Sequence, residues 1–252
     1  MAKIEKIAII AYGDGGELGD FKVFADSLKK TPSKKYTKVL VQYVNRDTDF
    51  FKLIESVNHA KEKVAELHVF SHSIGAGIFL GYKDDSISRD RGRLIARKNK
   101  IDKKVTYNEA VATEIGAIQT DDFKVGAFVT KRSDYQKKFS SDAFIKIWGC
   151  NSGVSRWVYS DGGLIDPKDT SEVYYWRAFN ERNTPKPSIA EAMAVFFNRK
   201  VYGASSGSSI EVYHKKRWKS SQKYKKQIGH WPSGRLPHRL VPDIGDYNEY
   251  LP

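Results

Sequence analysis

Cysteine occurs once in this 252-residue chain, at position 150. A single thiol excludes an internal disulfide framework and fits a reducing compartment where the chain is made. No apolar run approaches the ~18 residues that a membrane-spanning helix needs. The chain has no P-loop, no C-x-x-C pair, no internal repeat and no low-complexity tract. Neither a metal nor an organic cofactor is expected. The opening "MAKIEKIAIIAYGDGG" has a short apolar run but no small-residue cleavage site. It reads as a first strand, so the expectation is cytoplasmic synthesis, with any export by a route that removes no signal peptide.

What is present is a core's worth of apolar residues and a large excess of positive charge. At 40% hydrophobic and 13% aromatic, the chain can bury a core and is neither disordered nor fibrous. Net charge is +13 and the pI is near 9.5. Acidic residues are absent from His214 to Arg239, where Lys215, Lys216, Arg217, Lys219, Lys223, Lys225, Lys226, Arg235 and Arg239 fall. Such a run forms a solvated face, or it attracts nucleic acid or an acidic protein.

Hydrophobic periodicity divides the first 73 residues into alternating elements. "KIAIIAYG" (6–13) reads as a buried strand closed by glycine. In "DFKVFADSLKK", Phe21, Phe24, Ala25 and Leu28 share one helical face. "TKVLVQYV" reads as a second strand. "DTDFFKLIESVNHAKEKV" reads as a helix with Phe50, Leu53, Ile54, Val57 and Val64 along its stripe and Asp47 or Asp49 as N-cap. "ELHVFSHS" reads as a third strand. A β-α-β-α-β order implies a parallel sheet covered on both faces. Further on, "GIFLGY" (77–82) reads as extended. Residues 83–140 read as a charged insertion, partly helical around "YNEAVATEIGAI", and "DAFIKIWGC" as a fourth core strand. Residues 151–187 read as loop. "SIAEAMAVFF" opens with a capping box, Ser188 followed by Glu191, and "KVYGASS" reads as a fifth strand. The division expected is an α/β domain over 1–206 and a basic, Pro-rich extension over 207–252.

Two nucleophiles compete for the end of the third strand. "SHSIGAG" (71–77) is close to G-x-S-x-G, with Ser71 in place of the first glycine, which would make Ser73 the nucleophile of an esterase or lipase of the α/β-hydrolase type. That elbow requires a helix after the serine. Gly75, Gly77 and Gly81 follow instead, each costing a helix ~1 kcal/mol relative to Ala. The third possibility is a non-catalytic scaffold whose basic segment binds nucleic acid or acidic protein.

The histidine offers another reading. One apolar strand ends in Ser71-His72, a glycine-rich β segment follows, and a later apolar strand, "FIKIWGCNSG", ends in Gly149-Cys150. This order resembles the caspase/gingipain-type cysteine peptidases (clan CD) and their bacterial relatives. There, one hydrophobic block precedes a catalytic His-Gly and a second precedes Ala/Gly-Cys. The likeness extends through "SIAEAMAVFFNRKVYGASS" and covers most of residues 4–206. It implies a three-layer sandwich with a mostly parallel central sheet, of the caspase–hemoglobinase type, and a cysteine endopeptidase. It further implies Cys150 as nucleophile, His72 as acid/base, and an oxyanion hole from the backbone N–H groups of Cys150 and Ser73, with Gly149 beside it. Two departures stand out. Ser73 replaces the family's glycine, and 78 positions separate His72 from Cys150, against the ~50 of caspases.

Asp14, Glu17, Trp148 and Asn151 are candidates for a substrate pocket at the same sheet edge, Asp14 and Glu17 being also the residue types of a simple turn. His68, alternating with Phe70, is expected to be structural. Composition and likeness together suggest a delivered bacterial effector or toxin.

Overall fold

The computed structural model describes residues 4–13, 21–75, 77–81, 116–149, 152–153, 187–204, 210–214, 217–220, 238–239 and 247–252. Its first strand, β1 (Glu5–Tyr12), is almost wholly buried. Helix α1 (Lys22–Lys29) follows, turning Phe24, Ala25 and Leu28 into the core. Pro32 ends it, because proline lacks the N–H that a continuing helix requires. Strand β2 (Val39–Tyr43) then pairs parallel to β1.

Helix α2 (Asp47–Glu55) is shorter than the periodicity predicts. Asn58 stops the chain from continuing as helix. Its side-chain oxygen accepts from Ala60 N–H, and its carbonyl accepts from the N–H groups of Lys61 and Glu62. An Asx turn thus redirects the backbone, and β3 (Glu62–Phe70) begins four residues earlier than "ELHVFSHS" suggests. Val64 therefore belongs to β3. Arg46, not Asp47 or Asp49, occupies the N-cap; both acids lie in the first helical turn, where their charge complements the helix dipole.

After β3 the chain forms two short antiparallel strands, β4 (His72–Ile74) and β5 (Gly77–Phe79), and β6 (Ala117–Gln119) pairs with β5. Ala117 and Ile118 are thus strand, although the sequence places them in a helical segment; the rest of that segment, 107–115, lies outside the described residues. Helices α3 (Ala127–Thr130) and α4 (Arg132–Lys138) lead into β7 (Phe139–Ile147). Helix α5 (Ile189–Phe197) precedes β8 (Lys200–Gly203). Strands β9 (Ile210–His214), β10 (Arg217–Ser220) and β11 (His238–Arg239) form a small separate sheet. The last strand, β12 (Asn248–Tyr250), returns to the main sheet.

The main sheet runs β12-β8-β7-β3-β1-β2, parallel except for β12, in a mixed α/β fold. Its faces follow from strand alternation. Ile7, Ile9 and Ala11 of β1 join a cluster that includes Phe50, Phe51, Ile54, Tyr135, Phe196 and Phe197. Ile10 and Tyr12 of the same strand join Phe21, Phe24, Leu28, Phe70 and Trp148. So α1 packs on one face and α2, α4 and α5 on the other. The two faces have a topological cause. The chain steps from β1 to β2 in one direction and from β2 across to β3 in the other, and right-handed crossovers in opposite directions lie on opposite faces.

Helix α5 carries the capping box expected for "SIAEAMAVFF". Glu191 N–H donates to Ser188 Oγ at 3.1 Å, and Ser188 N–H donates to the Glu191 carboxylate at 2.5 Å. Ser188 is fully buried, so water cannot replace a lost hydroxyl. Ser188→Ala is expected to lower unfolding stability by about 1 kcal/mol, seen as a lower urea midpoint with an unchanged slope. An unshifted midpoint would show that the cap contributes nothing.

Candidate functional site

In an open parallel sheet, ligands bind at the carboxyl ends of the strands where strand order reverses. Here the reversal lies between β1 and β3. The carboxyl end of β1 leads to Gly13, whose N–H donates to Phe70 O at 2.8 Å and whose carbonyl accepts from Phe21 N–H at 3.1 Å. The carboxyl end of β3 leads to Ser71 and His72. The His72 ring is half-buried, edge-on to Phe21 with ring centres 5.3 Å apart. His72 therefore stands at the carboxyl edge of the sheet, beside the switch point.

The neighbouring strand β7 ends beside it. Leu67, His68 and Val69 of β3 stand opposite Ile145, Lys146 and Ile147, and Trp148 N–H donates to Val69 O at 2.9 Å. His72 and Cys150 are each three residues beyond the pair Val69–Ile147. Gly149 carries the two ends into contact. A Cβ at this position would lie 2.0 Å from Ser73 Oγ and 2.7 Å from Ser71 O. Only glycine lets the β7 end approach the Ser71–Ser73 backbone so closely.

The hairpin β4–β5 continues from His72 and is tied to α5, since Ile189 N–H donates to Gly75 O at 2.6 Å. Ser152 closes the other side. Its hydroxyl lies 3.3 Å from Gly149 O and accepts from Ala204 N–H at 3.0 Å. His72, Ser73, Trp148 and Gly149 thus converge at one sheet edge. Cys150, Asn151, Asp14 and Glu17 lie outside the described residues, as do Lys215, Lys216, Lys223, Lys225 and Lys226. Arg217 and Lys219 belong to β10 of the small sheet.

Beneath this edge runs a buried polar chain that sequence reasoning largely missed. The Glu66 carboxylate accepts from Tyr36 OH at 2.9 Å and from Lys35 Nζ at 3.2 Å. Its other oxygen is 3.2 Å from His68 Nε2. His68 Nδ1 lies 3.3 Å from Trp148 Nε1. An indole nitrogen only donates, so Nδ1 is the acceptor and the His68 proton resides on Nε2, facing Glu66. Lys146, 1% exposed, rests its ammonium 3.7 Å from the Trp148 ring centre and 4.1 Å from that of Tyr247. A desolvated cation–π contact of this kind is worth ~2 kcal/mol. The signal for Lys146 was in the sequence. Phe144, Lys146 and Trp148 alternate along "FIKIW", so a lysine there must share the face of two large aromatics.

Burial pushes the His68 ring below its ordinary value, against the pull of Glu66, and the charges of Lys146 and Lys35 push it further down. Burial would raise the Glu66 carboxyl, but the His68 N–H, the Tyr36 hydroxyl and the Lys35 ammonium outweigh it and hold Glu66 at about 2.

A neutral His68 in the folded chain makes stability depend on pH. Its unfolded value is near 6.5, so below that pH the unfolded chain binds the proton more readily and stability declines as pH falls toward the depressed folded value. The melting temperature should drop between pH 7 and pH 5. His68→Gln, which keeps an acceptor for Trp148 and a donor for Glu66, should remove that part of the slope. Parallel pH profiles for the two proteins would mean that His68 does not titrate as described.

Three comparisons with known proteins complete the picture: no protein-family model, no curated protein and no solved structure matches this chain.

Proposed function

We propose that the chain is a cysteine endopeptidase that cleaves peptide bonds through a Cys150–His72 dyad, on a three-layer fold of the caspase–hemoglobinase type. The observation that carries this reading is the register of β3 and β7, which leaves His72 and Cys150 the same number of residues beyond a hydrogen-bonded strand pair. Adjacent parallel strands lie ~4.8 Å apart, so residues at equal distance past a common register start from neighbouring positions. The close approach of Gly149 to Ser73 supports the same juxtaposition one residue short of the thiol. The ordered motifs Ser71-His72 and Gly149-Cys150 supply the chemical identity.

In this mechanism His72 takes the proton of the Cys150 thiol, and the thiolate attacks the scissile carbonyl carbon. The carbonyl oxygen becomes an oxyanion. Donors for it are the backbone N–H groups of Cys150 and Ser73. The register of β4 and β5 favours Ser73 in this role. Ile74 and Gly77 close a two-residue hairpin loop, and such closing pairs exchange hydrogen bonds. Bonded and non-bonded pairs alternate, so at Ser73–Ile78 the N–H is directed away from β5. One oxyanion donor is worth ~2.7–4 kcal/mol of barrier. His72 then gives its proton to the leaving amine, and the C–N bond breaks to leave a thioester. Water, deprotonated by His72, hydrolyses the thioester and restores the thiol.

A serine nucleophile at residue 73 finds less support. The segment after Ser73 is a hairpin instead of a helix, and Ser73 is 4% exposed. The basic segment suits a second role in partner binding, to an acidic protein or nucleic acid, and delivery as a bacterial effector or toxin belongs to the same proposal.

Cys150→Ala and His72→Ala should each abolish cleavage of a peptide library and of the chain itself, with a loss of at least ~10³-fold in kcat/KM. A fluorophosphonate label on Ser73 with unchanged activity in Cys150→Ala would replace this reading with the serine one. Equal cleavage by wild type and both variants would end it.

A further inference from the structure

The helices between parallel strands run antiparallel to them, so α1, α2, α4 and α5 all end at the amino edge of the main sheet, opposite His72 and Gly149. Helix C-termini carry partial negative charge, which places lysine and arginine at that edge for structural reasons. Several cations there act in that way. Lys138 Nζ donates to Glu55 O, at the end of α2, at 2.9 Å. Lys63 Nζ donates to Lys137 O near the end of α4. Arg199 donates to Phe139 O at 3.1 Å and to Ser140 O at 2.6 Å.

Lys30, Lys34 and Lys61 have no such role. They are exposed, and among the described residues no carboxylate or carbonyl meets their ammonium groups. The carboxylates along this edge are taken: Glu66 pairs with Lys35, Glu62 with Lys38 and Asp142 with Lys6, while Glu5 accepts from the Thr37 hydroxyl at 3.4 Å. The three free lysines stand on ordered backbone. Between Lys30 and Lys34 the chain turns at buried Pro32, and Tyr36 just beyond is tied to Glu66. Lys61 N–H donates to Asn58 O, and its carbonyl accepts from Glu5 N–H, both at 2.9 Å. Ile4, beside Glu5, is exposed. So is Leu251, which reaches the same edge because β12 runs antiparallel to β8.

We propose that this amino edge is a docking surface for a lipid bilayer with anionic headgroups, the free lysines resting on the headgroups and Ile4 and Leu251 entering between them. The side-chain chemistry selects this partner. An ammonium is a compact point charge suited to a field of headgroups, whereas base readout favours the planar fork of a guanidinium. Among the described residues no aromatic ring is exposed on this edge for a nucleobase to stack on. Exposed aliphatic side chains gain little on a nucleic acid and are stabilised at a bilayer. In this pose β3, nine residues long, holds the His72 and Gly149 edge about 30 Å from the lipid. The docking role stands apart from the peptidase reading, since it is measured without any peptide.

The test is co-sedimentation of the full chain with vesicles of phosphatidylcholine mixed with phosphatidylserine, and with vesicles of phosphatidylcholine alone. Wild type should bind the first and not the second, and its binding should fall as salt is raised. The double variant Lys30→Gln/Lys34→Gln should bind about 30-fold more weakly. A control with the same change of charge at the opposite edge, Lys22→Gln/Arg46→Gln, should stay within about threefold of wild type. Ile4→Asn should weaken binding about threefold without altering the salt dependence. Melting temperatures equal to wild type show that each variant is folded. Equal losses in the two double variants would mean that total charge and not this edge matters, and would overturn the proposal. So would unchanged binding by Lys30→Gln/Lys34→Gln, which would hand the attraction to the basic segment between His214 and Arg239. Duplex DNA binding that falls in Lys30→Gln/Lys34→Gln while vesicle binding does not would make the edge a nucleic-acid surface and end the bilayer reading.

Discussion

The parallel pairing of β3 with β7 is the constraint on which the rest depends. It is established between Glu66–Phe144 and Val69–Ile147, after an irregularity between Val64 and Glu66 resets the register. A slip of one residue would reverse every side chain of β7 between the two faces. Ile145 and Ile147 would leave their apolar cluster, and Lys146 would enter it. The cost of moving a charge into that environment, and of exposing residues worth ~1.5–3 kcal/mol each when buried, fixes the register firmly. The same register sets the level at which the two strands end. Core packing on one face and the juxtaposition of the Ser71–Ser73 backbone with Gly149 are therefore consequences of a single alignment.

The other face of these strands carries a different load. Glu66 and His68 on β3, with Lys146 on β7 and Trp148 just beyond its end, place one carboxylate, one imidazole and one ammonium among Phe70, Phe144, Tyr202 and Tyr247. Buried charges weaken a fold unless they are paired. Here Glu66 has three partners, and Lys146 has two aromatic faces. Replacing such a set with apolar residues is often neutral or stabilising, so stability alone does not account for it. Its position suggests another use. Trp148, the terminal member, immediately precedes Gly149, and its ring is fixed by His68 on one side, by Lys146 on its face and by the parallel ring of Phe70 at 5.3 Å. A large side chain locked in this way denies the following residues the freedom to drift.

The strands and most helices were legible in the sequence because their apolar spacing is regular and their ends carry turn residues. β1, α1, the capping box of α5 and the β character of Gly77–Phe79 all follow from local pattern. The errors came where tertiary contacts overrode it. Val64 fits the stripe of α2 by spacing, yet the Asx turn at Asn58 intervenes, and a single asparagine is a weak signal against a periodic run. Ala117 and Ile118 follow a helix-forming stretch but find a strand partner in β5, which no local pattern announces. At the site, the motif residues His72, Ser73 and Gly149 were legible, and their closeness was not. Nor was the return of β12, because a three-residue strand far from its partner in sequence leaves almost no pattern to read.

That return bears on how the chain beyond β7 is held, which differs from how the chain beyond β3 is held. His72 continues directly into β4, so its backbone is held by the ladder to β5 and, through Gly75, by α5. The chain after Trp148 has no such ladder among the described residues. It makes a turn through Ser152 and Gly153, and turns open at lower free energy than paired strands. The carbonyls of Trp148 and Gly153 instead accept from the hydroxyls of Tyr247, just before β12, and Tyr250, within it, and Ser152 bridges to Ala204. Side-chain hydrogen bonds at Trp148, Ser152 and Gly153 thus supply beyond β7 the order that the hairpin supplies beyond β3.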